Sequence, residues 1–337
     1  MNNIKKIITF IFLINLFFIN YSYSTGTTLD FEKWLVSYKK FVLSEGISQK
    51  TIDIAFKDIK FLEQVIKYDR KQPEFYEDTI TYVSKRATKS RAIKAKKLLK
   101  TNKDLLNEIE KKYNVEKEIL LALWGIETNF GKHVGKMPII SSLATLSFDK
   151  RRSEFFSSQL IILLKLIDKE IIDHETLYGS WAGAYGNFQF MPSTIKDYAI
   201  DYDDNNKIDL KSFDDSFASA ANYINKLGWL TNEPCYLKVN LKDNIPKILL
   251  NTSAKKIKNK KKIKYLKKFI YNSENLSLND NLIAGIITPD KDIVADSKLL
   301  EPAYLVFSNY ELILKWNRSL RFALAVCDLK NKFYNEL

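Results

Sequence analysis

Glu127 is the one ionisable side chain in the stretch Ala122-Leu-Trp-Gly-Ile-Glu-Thr-Asn-Phe-Gly131. Upstream of it Ile119, Leu120, Leu121, Leu123 and Ile126 are apolar on nearly every side of the helix that this run predicts, so the helix should be buried. Asn114 is placed to cap that helix, with Glu116 and Glu118 in its first turn. Glu127 then falls at the C-terminal end, among Trp124, Ile126 and Phe130 and just before Gly131. Desolvation and the negative end of the helix dipole both disfavour an ionised carboxylate there, so its pKa should rise. A carboxylic acid that keeps its proton near neutral pH can serve as general acid toward a poor leaving group such as a glycosidic oxygen. The competing reading is a glutamate that reaches solvent from a frayed helix end.

A second stretch, Gly179-Ser-Trp-Ala-Gly-Ala-Tyr-Gly-Asn-Phe-Gln-Phe-Met-Pro-Ser193, mixes small residues with aromatic ones. The small residues let backbone approach a ligand, while Ser180, Asn187 and Gln189 offer neutral hydrogen bonds. Polar edges beside aromatic faces suit a saccharide, although a tightly packed junction of helix and loop would use the same residues. In a third stretch, Asp201, Asp203 and Asn205 occupy positions 1, 3 and 5 of a calcium loop. A standard loop would close at Ser212, which cannot be a bidentate acid, and a polar turn capping the next helix is the alternative.

Together these stretches resemble the lytic murein transglycosylase B family, which shares a lysozyme-like core. The likeness extends to Asp69-Arg-Lys-Gln-Pro-Glu-Phe75, Ser142-Leu-Ala-Thr-Leu146, Arg151 and Arg152 with Phe155 and Phe156, Ala220-Ala-Asn-Tyr-Ile224 and Trp316-Asn-Arg318. By that resemblance Glu127 is the single acid/base that cleaves the MurNAc-GlcNAc β-1,4 bond of peptidoglycan. It would then activate the MurNAc 6-hydroxyl to close a 1,6-anhydro ring. No second carboxylate accompanies Glu127 nearby in sequence, as paired-carboxylate hydrolases require. Ser180, Gln189, Tyr223, Tyr82, Tyr304 and Tyr310 match positions expected to bind sugar by hydrogen bonds and ring stacking. The family also carries an enlarged calcium loop, here closing at Asp215 with Lys207 giving only its carbonyl, and Asn206 stands where a glycine is usual. No cofactor is expected for catalysis, and calcium would be structural. A lysozyme-type hydrolase and a non-catalytic wall-binding protein are the alternatives.

The residues outside these stretches say where such a protein works. Lys5 and Lys6 precede an apolar run over 7–20, with Ser22 and Ser24 before a cut expected after Ser24, and no cysteine lies there for a lipid anchor. An uncleaved anchor is the alternative, though the run is short for a spanning helix. Removing Lys5 and Lys6 leaves 51 basic against 40 acidic residues, a charge of +11 that suits an anionic wall. A periplasmic monomer acting on glycan strands, beside wall-remodelling proteins, is the expectation. Cys235 and Cys327 would form one disulfide or remain small buried side chains, and with two histidines neither zinc hydrolysis nor a histidine triad is expected.

The elements that must position Glu127 are mainly helical, in an α+β fold with a lysozyme-like helical core by resemblance. After the leader (1–24), an N-terminal helical domain covers 25–107, where Trp34, Leu35, Tyr38, Phe41 and Val42 share a face and Gly46 ends a helix before Ser48 starts another. Pro73 interrupts this region, and residues 85–103 predict one strongly basic helix. The core occupies 108–232. Alternation in Tyr236-Leu-Lys-Val-Asn-Leu241 and the run Asn281-Leu-Ile-Ala-Gly-Ile-Ile-Thr-Pro289 predict a small β-rich insertion over 233–298, and a helical segment over 299–337 completes the core. Within the insertion, residues 255–268 hold nine lysines in fourteen residues. That pattern would also suit nucleic acid, but an exported protein rarely meets it, and no nucleic acid is expected.

Overall fold

The computed structural model describes residues 27–71, 77–291, 294 and 298–335. The expected leader, Pro73 and the 72–75 part of the 69–75 stretch lie outside them. The N-terminal region folds as α1 (Thr28–Ser44), α2 (Gln49–Ala55), α3 (Glu63–Arg70), α4 (Thr79–Arg86), α5 (Lys89–Thr101) and α6 (Lys103–Tyr113). Side-chain oxygens of Thr27, Ser48, Asp78 and Thr88 accept amide hydrogens at the starts of α1, α2, α4 and α5, and Gly46 turns the chain at φ +85°. The single basic helix expected over 85–103 is instead the end of α4, the whole of α5 and the first residue of α6, and Thr88 starts α5 afresh by accepting from the Arg91 amide at 3.2 Å.

Helix α7 (Lys117–Thr128) is buried along most of its length, as its apolar sequence requires. Its start differs from expectation. Asn114 is the left-handed C-cap of α6 (φ 52°), and Glu116 takes the N-cap position of α7 without a capping bond. The buried Glu116 carboxylate instead accepts from the Trp229 indole, the Asn232 amide (3.2 Å) and the Lys330 ammonium (3.1 Å).

The chain continues through β1 (Met137–Pro138), α8 (Ile139–Phe148), α9 (Ser153–Asp168), β2 (Tyr178–Gly179), α10 (Pro192–Tyr198) and α11 (Phe213–Leu227), with β1 antiparallel to β2. Asp69, 2% exposed at the end of α3, receives Arg151 Nε at 2.6 Å and the Arg152 guanidinium. Two of the separated family-like stretches thus meet in one ion cluster around the buried Asp69, with both arginines partly exposed.

The next elements are β3 (Tyr236–Val239), β4 (Leu250–Asn251), β5 (Lys261–Lys262), the short α12 (Ile263–Leu266), β6 (Ile283–Ile287) and β7 (Ala303–Val306). Their order in the sheet is β3-β7-β6-β4, with β5 also paired to β6. The strand β7 corrects the sequence boundary, since the sheet extends past 298 and the returning helices begin only at α13 (Ser308–Trp316) and α14 (Leu320–Asn335). Residues 303–306 are buried on both faces and show no polar alternation, so their sequence does not distinguish strand from helix. The period of two survives in what each residue touches. Ala303 and Leu305 join a small core with Ala284 and Ile286, whereas Tyr304, Val306 and Ile287 face the main core. The sheet is thereby docked on the helical body. A Cys235–Cys327 disulfide, with Cα atoms 6.0 Å apart, ties the approach to β3 to α14, which packs on α4, α5 and α7.

Candidate active site

Glu127 is the penultimate residue of α7 and is half-buried. Three consecutive residues beyond the helix, Asn129, Phe130 and Gly131, have positive φ (52°, 59° and 77°). Phe130 has no intrinsic reason to adopt that conformation, so packing imposes it. Its ring stands edge-on to Trp124 at 5.6 Å, and Gly125 makes room for it, because a Cβ there would lie 2.8 Å from Phe130 Cζ. The turn is fixed further by Thr128, whose Oγ1 donates to the Asn187 carbonyl (2.9 Å) and accepts from the Gly131 amide (3.1 Å). The end of α7 is thus bonded to the second family-like stretch.

The carboxylate accepts a hydrogen bond from Trp316, whose Nε1 donates to Glu127 Oε1 at 2.9 Å. Trp316 ends α13 and is held by rings on three sides. It stacks on Tyr223 of α11 (5.1 Å, 26°) and meets Phe190 and Phe188 edge-on at 5.3 and 6.1 Å. Tyr223 in turn stacks on Tyr198 at 4.3 Å. Burial pushes the Tyr223 hydroxyl up to about 12, so it stays neutral and can donate. In sequence, Trp316 belongs to the family-like Trp316-Asn-Arg318 stretch with no role attached. Nothing in its spacing from Glu127, 189 positions away, reveals the contact.

Residues 180–190 form a tight loop beside this ring cluster. Ser180 Oγ accepts from the amides of Ala182 (3.2 Å) and Ala184 (3.0 Å), which leaves its O–H as a donor. Gln189, at φ 52°, donates through Nε2 to the carbonyls of Gly186 (2.8 Å) and Val134 (3.1 Å). Its carbonyl oxygen has no bond to protein among the described residues. Gly186 takes φ +78° with Leu210 O where a Cβ would sit, so the loop cannot carry a side chain there.

Four of the expected sugar-binding residues are buried. Asn187 is buried, its amide donating to Lys211 O, Ser212 O and Ser216 Oγ and accepting the Trp124 indole at 3.1 Å. It is a structural tie, and its sequence neighbours Phe188 and Phe190 supply the ring wall instead. Tyr310 is wholly buried with its hydroxyl donating to Leu320 O at 2.8 Å, so it joins α13 to α14 and cannot reach a sugar in this arrangement. Tyr304, 7% exposed in β7, packs edge-on to Tyr236, and burial pushes its hydroxyl up to about 12. Tyr82 of α4 is also buried, with the Arg86 guanidinium 3.5 Å above its ring.

The acidic loop between α10 and α11 brings Asp201, Asp203 and Asp215 together, with one oxygen of each within 4.8 Å of the others. Ser212 caps α11 by accepting from the Asp215 amide, which explains why it does not close the loop. Asp215 accepts the amides of Tyr202 (2.7 Å) and Asp209 (2.8 Å), and Asn205 Oδ1 accepts the Lys207 amide (2.9 Å). Burial first, and then the charges of Asp203 and Asp201, raise the Asp215 carboxyl against the opposing effect of those amides. Asn206 occupies the left-handed region (φ 69°) that its loop position demands. Asp201, Asp203 and Asp215 converge as oxygen donors for a hard divalent cation.

Comparison with known proteins follows this geometry. A 138-residue stretch is 40% identical to the membrane-bound lytic murein transglycosylase B of Escherichia coli K12, covering 41% of this chain and 38% of that protein. The fold superposes with a TM-score of 0.80 on SltB3 from Pseudomonas aeruginosa in complex with NAG-anhNAM-pentapeptide, at 31% identity over 92% of this chain and 80% of that one. It superposes at 0.72 on the Escherichia coli lytic transglycosylase Slt35 in complex with calcium, at 27% identity over 90% and 93% of the two chains. Residues 30–331 match the transglycosylase SLT domain model, and the chain belongs to that family.

Proposed function

We propose that this protein is a lytic transglycosylase that cleaves the MurNAc-GlcNAc β-1,4 bond of peptidoglycan and leaves 1,6-anhydro-MurNAc ends. The observation that carries the reading is Glu127, half-buried and held by Trp316, on stretches of chain that carry no other carboxylate. Residues 124–134, 180–190, 220–227 and 312–318, which carry the loop, the rings and Glu127 itself, contain no other Asp or Glu. A paired-carboxylate hydrolysis needs a second acid facing the first. With one, the same group must act twice. Protonated Glu127 gives its proton to the glycosidic oxygen as the C1–O bond breaks. The resulting carboxylate takes the proton of the C6 hydroxyl as that oxygen bonds to C1, so no water is consumed. The P. aeruginosa relative bound to an anhydro-sugar peptide supports this outcome.

Ser180 would donate its hydroxyl and Gln189 would accept through its carbonyl at the sugar, while the stacked Tyr223 and Trp316 rings would line the site as an apolar wall. Calcium would be held by Asp201, Asp203, Asp215, Asn205 and the Lys207 carbonyl, where it would neutralise the loop and brace α10 against α11. The buried disulfide supports folding in an oxidising compartment, consistent with export to the periplasm. Among the described residues no helix is long and apolar enough to cross a membrane.

Mass spectrometry of digested murein tests the reaction. Products should be one water lighter than reducing ends, and Glu127→Gln should release none. Reducing ends from the wild type would assign a hydrolase instead, and turnover undiminished in Glu127→Gln would assign a non-catalytic binding protein.

A further inference from the structure

No acidic side chain occurs between Asp243 and Glu274, and nine of the lysines in that interval lie within residues 255–268. The structure gives this segment a firm base. Buried Asn251 accepts the Lys258 amide at 2.7 Å and donates to Ile286 O at 3.0 Å, Ile257 fills the space above Gly285, and Ile263 and Leu266 enter the small core. The β5 pairing sets Lys261 opposite Ala284 and Lys262 opposite Ile283 at the sheet margin. Ion pairs engage Lys260 with Glu311 and Lys267 with Asp280, and the other seven lysines have none among the described residues.

Apolar side chains stand exposed among these charges. Ile248 is 70% exposed, Ile283 44% and Tyr265 38%. Ile248 is kept beside the lysines by Asn259, whose amide donates to the Ile248 carbonyl at 2.7 Å. Ile283 faces Lys262 across the strand pair, and Lys268 lies 5.4 Å above the Tyr265 ring. A hydrated polyanion would reward the lysines and leave the isoleucines in water. An anionic lipid surface accommodates both, with ammonium groups at the phosphates and the apolar tips in the interfacial layer.

We propose that the β5 margin of the sheet docks on the surface of an anionic phospholipid bilayer, independently of the reaction assigned above. The chain beginning at Thr25 tests this, so that the apolar leader contributes nothing. It should sediment with phosphatidylglycerol/phosphatidylethanolamine vesicles, remain in solution with phosphatidylcholine vesicles, and be released by salt. Combined Lys261→Glu, Lys262→Glu and Lys264→Glu should weaken retention by about tenfold or more. Combined Ile248→Ser and Ile283→Ser should weaken it at unchanged charge. Lys97→Glu with Lys100→Glu and Lys103→Glu removes equal charge from α5 and α6 and should leave retention intact. All variants should keep the wild-type circular dichroism. The proposal is overturned if the wild type ignores anionic vesicles, if the α5/α6 variant loses as much as the β5 variant, or if the isoleucine pair has no effect. Retention that depends on the β5 lysines but occurs on purified murein and not on vesicles also overturns it and assigns the surface to the wall.

Discussion

Trp316 gives the Glu127 carboxylate a fixed direction through one N–H, and the rings of Phe188, Phe190 and Tyr223 hold that indole in place. Such a donor to a charged acceptor is worth about 1.5–3 kcal/mol when it is made in a partly buried site. Replacing Trp316 by Phe keeps an aromatic face but removes the donor. Turnover on purified murein should fall roughly ten- to a hundredfold with KM little changed, because the sugar contacts remain while the acid loses its aim. Glu127→Gln removes the proton itself and should cost at least about 10²–10⁴-fold. A Trp316→Phe enzyme with wild-type turnover would show that the indole bond does not matter to the reaction.

At the scale of elements, Glu116 joins the start of α7 to the turn after α11 and to α14. Burial alone would raise its carboxyl, but the Trp229 indole, the Lys330 ammonium and the backbone amides outweigh it and hold it below the ordinary range. Its stabilising effect is therefore complete above the unfolded pKa and is lost as pH falls through the lower, folded value. Glu116→Ala should lower urea stability by about 3–5 kcal/mol, since it strands a buried ammonium, and should flatten the loss of stability below about pH 4. The loop over 201–215 proposed to hold calcium has the opposite sign. With the Asp215 carboxyl raised, its contribution to stability is present in acid and lost as pH rises through the folded value. Calcium should therefore raise Tm by several degrees near neutral pH and have little effect once the loop is protonated. Asp203→Asn should remove most of that response, as read by calorimetry with and without chelator.

The whole molecule is a helical body with a sheet laid on it, and one covalent link spans the two. Cys235 and Cys327 are 92 positions apart, a loop for which the chain-entropy argument gives about 4.6 kcal/mol. The double variant Cys235→Ser with Cys327→Ser should unfold at lower urea by about 2–5 kcal/mol, while retaining activity at moderate temperature, because the bond takes no part in the proposed reaction. Loss of activity without loss of stability would mean that the link shapes the cleft. Much of this organisation was legible beforehand. The N-terminal helices, the Ser48 start and the strands over 236–239 and 283–287 follow from local pattern and caps. Less visible were the break at Ala87 and the Asn114 cap, where two helices compete for one polar residue. The strand over 303–306 was hidden too, because burial on both faces erases alternation.

The sequence by itself determined the chemistry available: a lone glutamate at the end of an apolar helix, a small-and-aromatic loop, and Asp201, Asp203 and Asn205 at calcium-loop spacing. Those signals are local, and periodicity or position along a few turns suffices to express them. Only the tertiary structure decided that Trp316 meets Glu127, that Asn187 and Tyr310 serve packing, and that Asp69 answers to Arg151 and Arg152. Each of these depends on which faces of distant segments are pressed together when the core closes. A side chain's neighbours at that distance are set by packing of the whole and leave no trace in the spacing along the chain.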